Sequence, residues 1–204
     1  MSGQVRDFYD TEAADKYRTM MQSEDELKFY RADIIEISRL CISGLPVLDV
    51  GCGTGDLLKL LDEAKPGLSL LGIDAAETML RHAKTLLPTA KFIIGDAVKL
   101  PFDLNSIGAL MCTFVTHHLT DIDMRAAVAE FARVLAPGGV LYHCYWHGDG
   151  LMDPFSKKEN PPPLIKRREK TVDAIFAEFG FSKRAGRLDS YGWGDMAFAI
   201  YQNA

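Results

Sequence analysis

The sequence lacks paired cysteines, a long apolar run and an apolar leader segment. Its four cysteines form no Cys-x-x-Cys pair, so neither a zinc ribbon nor a redox motif is indicated. No apolar run approaches the roughly 20 residues of a membrane-spanning helix. The first ten residues mix charged and aromatic side chains, unlike a secretory signal peptide. These absences favour a reduced, cytoplasmic protein with no membrane span.

Positive charge is scarce as well. Lysine and arginine number 23 against 28 aspartates and glutamates, and the formal net charge of −5 argues against a surface that coats nucleic acid. No set of histidines and cysteines has the spacing of a zinc site, so we expect no metal. A length of 204 residues suits a single domain, 1–204, and the sequence leaves the oligomeric state open.

Short apolar runs alternate with amphipathic ones over the middle of the chain. This alternation predicts parallel β-α-β units with helices on both faces of one sheet. The predicted strands are Leu45–Val50, Leu68–Ile73, Lys91–Ile94, Ile107–Phe114 and Val140–Trp146. The predicted helices between them are Asp56–Ala64, Ala76–Leu87 and Met124–Leu135, the last ended by Pro137-Gly138-Gly139.

The last part of the chain departs from this alternation. After a predicted helix at Glu169–Phe179, strands are predicted at Phe181–Leu188 and Met196–Tyr201, with only seven residues between them. A parallel crossover needs about a dozen residues or more, so these strands must pair as an antiparallel hairpin. The expected fold class is therefore α/β: a Rossmann-like, doubly wound, mostly parallel seven-stranded sheet that ends in an antiparallel C-terminal hairpin.

Two segments outside the alternation are expected to form a substrate pocket. Residues 1–43 predict a helical cap, with helices at 4–17 and 24–40. Residues 147–168 predict a lid, because glycines precede apolar side chains there. Basic residues in and after this segment favour an anionic substrate, although a solvated helix start explains them as well. They are Lys157, Lys158, Lys166, Arg167, Arg168 and Lys170.

A glycine-rich loop, Gly51-Cys52-Gly53-Thr54-Gly55, joins the first strand to the next helix. Glycine permits a tight turn close to a ligand, and the helix N-terminus offers unpaired N–H groups. Asp74 ends the second strand 19 positions after Gly55, where a carboxylate can accept hydrogen bonds from both ribose hydroxyls. Asp96 ends the third strand, where a carboxylate can accept one from an adenine amino group. These features predict an adenosine site, with an N-cap of the following helix as the alternative role of Asp74.

Two further carboxylates argue against a dinucleotide. The NAD fingerprint is Gly-x-Gly-x-x-Gly, and Asp56 occupies its last glycine position. A carboxylate there would sit poorly beside a pyrophosphate. Asp49, just before the loop, suits a cationic amine better than a phosphate.

Together these motifs resemble those of the class I S-adenosylmethionine-dependent methyltransferases. Leu48–Gly55 is similar to the first motif of that family, Gly72-Ile73-Asp74 to the second and Gly95-Asp96-Ala97 to the third. Leu135–Gly139 is similar to the turn before the family's fifth strand, and the family's sheet also closes with an antiparallel hairpin. The resemblance covers about residues 5–204 and is closest to the ubiquinone- and menaquinone-biosynthesis methyltransferases.

The resemblance implies S-adenosylmethionine as cofactor and S-adenosylhomocysteine as product. By position, Gly51 and Gly53 would lie under the methionine part of the cofactor, Asp74 would hold the ribose, and Met79 would cover one adenine face. The remaining predicted cofactor positions are Asp96 and Ala97 at the adenine edge, Thr113 and Tyr17 at the sulfonium end, Asp49 and Ala75.

The expected reaction is direct in-line transfer of the methyl group to an O, N or C atom of an anionic or aromatic small molecule. No protein nucleophile is needed, because the methyl donor carries its own leaving group, and alignment of acceptor and methyl group alone can contribute about 7–11 kcal/mol. Should the acceptor have to lose a proton, His117 and Tyr9 are the candidate catalytic residues. Two other classes stay open: a regulatory protein that binds S-adenosylmethionine without turnover, and an NAD-dependent oxidoreductase.

Overall fold

The computed structural model describes residues 3–11, 13–21, 24–152, 162, 164–191 and 194–204. The helices are α1 (Gly3–Tyr9), α2 (Ala13–Met21), α3 (Glu24–Leu40), α4 (Asp56–Ala64), α5 (Glu77–Leu86), α6 (Asp121–Val134) and α7 (Glu169–Glu178), with a 3₁₀ turn at Thr116–His118. The strands are β1 (Val47–Val50), β2 (Leu70–Asp74), β3 (Lys91–Ile94), β4 (Ile107–Thr113), β5 (Leu135–Trp146), β6 (Leu151–Met152), β7 (Leu164–Ile165), β8 (Phe181–Tyr191) and β9 (Gly194–Asn203).

Seven strands form one sheet in the order β3-β2-β1-β4-β5-β9-β8. Among the described strands of this sheet only β9 runs against the others, because it pairs antiparallel with both β5 and β8. The predicted fold class, with its C-terminal hairpin, is confirmed. The strand order reverses between β1 and β4, and ligands of open α/β sheets bind at the carboxyl ends of the strands beside such a reversal.

Helices cover both faces of the sheet, as predicted. One face packs against α6 and α7, with Phe131 and Phe176 buried between helix and sheet. The other packs against α3, α4 and α5, with Ile34 and Leu58 among the buried side chains. Strand β1 lies between two neighbours and all four of its residues are buried, which explains its unbroken apolar character apart from Asp49.

The cap differs from its prediction. The helix expected at 4–17 is divided into α1 and α2, and Asp10 lies in the break. The Asp10 carboxylate accepts a hydrogen bond from the Thr78 amide, 2.9 Å away in the first turn of α5. The break therefore attaches the cap to the central domain, a long-range contact that helix periodicity does not encode.

The fifth strand also differs. Helix α6 ends at Val134 and β5 begins at Leu135, five residues before the predicted start at Val140. Leu135 pairs with Ile107, and the register then shifts before the next pair. The proline-glycine turn is thus an irregular part of the strand, because residues on both sides of it, Leu135 and Val140, pair with β4.

The middle of the predicted lid, 147–168, lies outside the described residues at 153–161 and 163, so the lid stays a prediction. Its two described ends are joined, since β6 and β7 pair antiparallel. Within the described ranges, no helix has the length and apolar character needed to cross a membrane.

Candidate active site

The glycine loop is held tightly against its neighbours. Gly51, Gly53 and Gly55 all have positive φ, at 72°, 52° and 85°. The Gly51 amide donates to the Ile73 carbonyl at 2.7 Å, which joins the loop to the end of β2. A Cβ atom on Gly51 would lie 2.1 Å from Cγ2 of Val115, so the position excludes any larger residue. The sequence requirement for glycine here has both a conformational and a steric cause.

Asp74 braces two loops at the end of β2. Its Oδ2 accepts a hydrogen bond from the Gly53 amide and its Oδ1 accepts one from the Ala76 amide, both at 2.9 Å. The N-cap residue of α5 is Ala76, whose own side chain makes no capping hydrogen bond. Asp74 is therefore not the N-cap of α5. Each of its carboxylate oxygens keeps acceptor capacity for a further donor.

Asp49 is a buried carboxylate with an unpartnered atom. Its side chain is 1% exposed, and within the described part of the chain its Oδ1 has no hydrogen-bond partner. Burial, followed by repulsion from Asp74, raises the pKa of Asp49 to about 8. A buried charge without a partner is costly, so the position fits a ligand that supplies a cation. The ammonium group of a methionine moiety has this chemistry.

The predicted adenine positions, Asp96 and Ala97, follow the end of the adjacent strand, β3. The Gly95 amide donates to the Asp74 carbonyl at 2.9 Å, which brings the end of β3 beside Asp74, the predicted ribose ligand. Asp96 Oδ1 accepts from the Val98 amide at 3.2 Å, and Ala97 is buried. At the opposite side of β1, Thr113 ends β4 and is also buried. The structure thus brings the predicted strand-end residues to one edge of the sheet.

Helices α1 and α2 lie over the glycine loop. Ala14, Ala76 and Met79 form a buried apolar cluster, against which Tyr9 and Tyr17 pack. Tyr17 approaches Gly53 so closely that a Cβ atom there would lie 3.2 Å from the tyrosine ring. Met79 and Tyr17 are therefore at the predicted site, and the cap covers the place where the loop leaves β1.

The two candidate catalytic residues, Tyr9 and His117, both lie beside His118. The Tyr9 hydroxyl lies 3.4 Å from Nε2 of His118, whereas the His117 ring packs between Phe114 and His118. Burial raises the pKa of Tyr9 above its ordinary value, with a second contribution from Asp74. Tyr9 stays protonated at neutral pH and would serve as a hydrogen-bond donor rather than as a base.

Both histidines of the turn are neutral at physiological pH. Burial lowers the pKa of His118 to about 4. Burial and then the neighbouring His118 lower the pKa of His117. His117 is 2% exposed, and Nδ1 of each ring has no partner among the described residues. A neutral imidazole has the protonation state of a base, but the lowered pKa makes each of these rings a weak base at neutral pH.

Arg167 is the residue that sequence reasoning missed. The run Lys166-Arg167-Arg168 was interpreted as part of a surface cluster, yet Arg167 is 5% exposed and binds Asp121 on α6. Arg168 is exposed and forms an ion pair with Asp149. Nothing in three consecutive basic residues marks the middle one as buried, so the sequence carries no signal for this contact.

A metal site is not evident in the described ranges, where no three His, Cys, Asp or Glu side chains come together as ligands for an ion. That the reaction proceeds without a metal stays a prediction. The short hydrogen bond from Thr54 to Asp56 shows how the carboxylate at the last fingerprint position is held inside the loop. Asp56 is 8% exposed, and burial raises its pKa.

Comparisons with known proteins agree with this geometry. The family model described as a methyltransferase domain matches residues 47–139. The chain is 29% identical over 163 residues to an uncharacterized methyltransferase of Oceanobacillus iheyensis, covering 72% of this chain and 74% of that one. It is 34% identical over 102 residues to a ubiquinone/menaquinone biosynthesis C-methyltransferase of Campylobacter jejuni, where the match covers 48% of this chain and 43% of the relative.

The fold has solved counterparts. The magnesium protoporphyrin IX methyltransferase of Synechocystis, solved with bound S-adenosylhomocysteine, superposes with a TM-score of 0.76 over 98% of both chains at 18% identity. At that identity the likeness shows the fold alone. Fold, glycine loop and matched domain together define a methyltransferase. The matched domain and the curated relatives make the chain similar in sequence to S-adenosylmethionine-dependent methyltransferases, and its fold is that of their class I.

Proposed function

We propose that the protein transfers the methyl group of S-adenosylmethionine to an O, N or C atom of a small molecule by direct in-line displacement, with S-adenosylhomocysteine as product. The observation that carries this proposal is Asp49: a buried, unpartnered carboxylate atom directly before the glycine loop. A carboxylate in this position favours a cofactor that presents an ammonium group and would repel the negative charge of a pyrophosphate.

The cofactor would be held by residues from four strand ends. Asp49 would accept from its ammonium group, and Asp74 from the ribose hydroxyls while it braces the loop. Bound there, the cofactor supplies an activated methyl group on sulfur. The other proposed contacts are Gly51 and Gly53 below the methionine part, Ala75 and Met79 beside the adenosine, Asp96 and the Ala97 amide at the adenine edge, and Thr113 and Tyr17 near the sulfonium.

The acceptor would lie against an aromatic cluster at the ends of β4 and β5. Phe114 contacts both Trp146 and His117, with ring centroids 5.3 and 5.7 Å apart. Met152 packs on the same apolar surface. These side chains would orient a planar or apolar molecule and exclude water, and neutral His117 would take a proton from it if the acceptor atom carries one.

These contacts favour an aromatic acceptor over an anionic one. Arg167 is buried and Arg168 is paired with Asp149, so two charges of the basic cluster are already neutralised. Methyltransferases named for menaquinone and for magnesium protoporphyrin IX are among the relatives and structural counterparts. Both names denote large conjugated acceptors, which agrees with an aromatic wall but identifies no substrate.

Titration calorimetry with S-adenosylmethionine, S-adenosylhomocysteine and NAD tests the cofactor. We expect binding of the first two and none of NAD. Tight NAD binding without S-adenosylmethionine binding would contradict the proposal. Turnover is tested with methyl-labelled cofactor and a panel of quinols, phenols and carboxylates, with label transfer as the readout. Cofactor binding without label transfer to any member would favour the regulatory alternative.

A further inference from the structure

The guanidinium group of Arg167 spans the turn that carries the two neutral histidines. Nη1 donates to the Thr116 carbonyl at 2.8 Å, and Nη2 donates to the Leu119 carbonyl at 2.6 Å. Nη2 and Nε both donate to Oδ1 of Asp121, at 2.9 and 3.1 Å. One buried side chain thus holds the residue before His117, the residue after His118 and the first residue of α6.

The main chain of Arg167 is attached as well. Its amide donates to the Trp146 carbonyl at 3.1 Å, and its carbonyl accepts from the Gly148 amide at 3.2 Å. Arg167 therefore links the end of β5 to the histidine turn. The planar, forked guanidinium can serve several acceptors in fixed directions, which a lysine ammonium cannot reproduce.

The turn needs such a support because the chain enters it in a strained conformation. Phe114, the residue after β4, has φ 55°, which is costly for an aromatic residue. Val115, which follows, fills the space beside Gly51. The position of both histidines relative to the glycine loop therefore depends on contacts outside the turn. Arg167 makes three of these contacts, because its guanidinium group donates to Thr116, Leu119 and Asp121.

We propose that Arg167 is a positioning residue, which fixes His117 and His118 on the acceptor side of the site while leaving the cofactor side unaffected. The acceptor role of the turn rests on the proposed function; the fixing of the imidazoles does not. The cofactor carboxylates Asp49 and Asp74 receive no hydrogen bond from Arg167. Loss of Arg167 should therefore separate the two halves of the site.

The experiment compares Arg167→Gln and Arg167→Lys with Arg168→Gln, a matched control one position along that removes an exposed ion pair. Nitrogen-15 spectra of the histidine side chains report tautomer and mobility, and calorimetry with S-adenosylhomocysteine reports the cofactor side. In Arg167→Gln we expect the His117 and His118 signals to shift or broaden, while the dissociation constant changes by less than about threefold. Arg167→Lys should restore the signals only in part, and Arg168→Gln should match the unaltered protein.

Unchanged His117 and His118 signals in a folded Arg167→Gln protein would overturn the proposal. So would a loss of S-adenosylhomocysteine affinity as large as in a cofactor-site variant, because Arg167 would then support the whole fold. If Arg167→Gln does not fold, Asp121→Asn weakens the same contact and must show the same histidine changes. Failure of the unaltered protein to bind S-adenosylhomocysteine would contradict the proposed function and leave the histidine comparison intact.

Discussion

The two halves of the site are built differently. In the cofactor half, backbone amides meet carboxylates between neighbouring strand ends; Gly53 and Asp74 are 21 positions apart in the chain. In the acceptor half, Tyr9 and His118 are 109 positions apart, and Arg167 reaches Thr116 across 51. The contact between the glycine loop and Asp74 is thus local in sequence, whereas the acceptor half is assembled from distant segments. Changes in the cofactor half should weaken cofactor binding, and changes in the acceptor half should alter the orientation of the histidine side chains.

The largest effect is expected for Gly51→Ala. The new methyl group needs a left-handed backbone and overlaps Val115, which together should cost about 2–6 kcal/mol of stability. Gly67→Ala is the matched control, because Gly67 has φ 88° and nothing within 4 Å of the added atom. It should cost only the backbone strain, about 1–3 kcal/mol. Equal losses in chemical denaturation would show that steric exclusion by Val115 plays no part.

The sequence separation of the contacts also determines which features can be predicted from the sequence. The glycine loop and Asp74 were found because a strand, a turn and a carboxylate follow one another within a short stretch of chain. The hairpin was found because its connection is too short for a crossover. The break at Asp10 and the burial of Arg167 were missed, since each depends on a partner far along the chain, Thr78 and Asp121. The glycine loop, Asp74 and the hairpin follow from residues close together in the sequence. The break at Asp10 and the burial of Arg167 follow from tertiary packing.

The second largest effect is expected for Asp74→Ala, which should weaken cofactor binding. Loss of charge-assisted hydrogen bonds should cost about 1.5–3 kcal/mol, or roughly 10–150-fold in dissociation constant. Asp103→Ala, at an exposed loop position, is the control and should leave the constant unchanged. Calorimetry with S-adenosylhomocysteine makes the comparison. If Asp74→Ala folds and binds normally, Asp74 only braces Gly53 and Ala76.

Tyr9→Phe should have a smaller effect. The hydroxyl group makes a long contact with a neutral imidazole, so its removal should cost about 0.5–1 kcal/mol of stability. The ring keeps its packing on Tyr17 and His118. Turnover with an acceptor found in the panel should change less than about tenfold, below the usual contribution of an acid or base. A hundredfold loss with unchanged cofactor affinity would make Tyr9 a catalytic residue after all.

Removal of divalent metal should have no effect. The carboxylates near the glycine loop are committed to backbone amides or, as proposed, to the cofactor. Methyl transfer measured in excess chelator should therefore equal that in untreated protein. Loss of activity that Mg²⁺ restores would require a metal-assisted mechanism and a different assignment of these carboxylates.

Proton release on cofactor binding tests the assignment of Asp49 most directly. With its pKa raised to about 8, Asp49 is mostly protonated in the free protein at pH 6–7, and its contribution to stability is lost as the pH rises from its ordinary pKa of 3.8 to about 8. A bound ammonium group would favour the ionised carboxylate. Calorimetry at pH 6–7 in buffers of different ionisation enthalpy should therefore show release of close to one proton, and affinity should increase with pH. Asp49→Asn should abolish the release. Binding of S-adenosylmethionine with no buffer dependence, or with undiminished release in Asp49→Asn, would contradict the ammonium site.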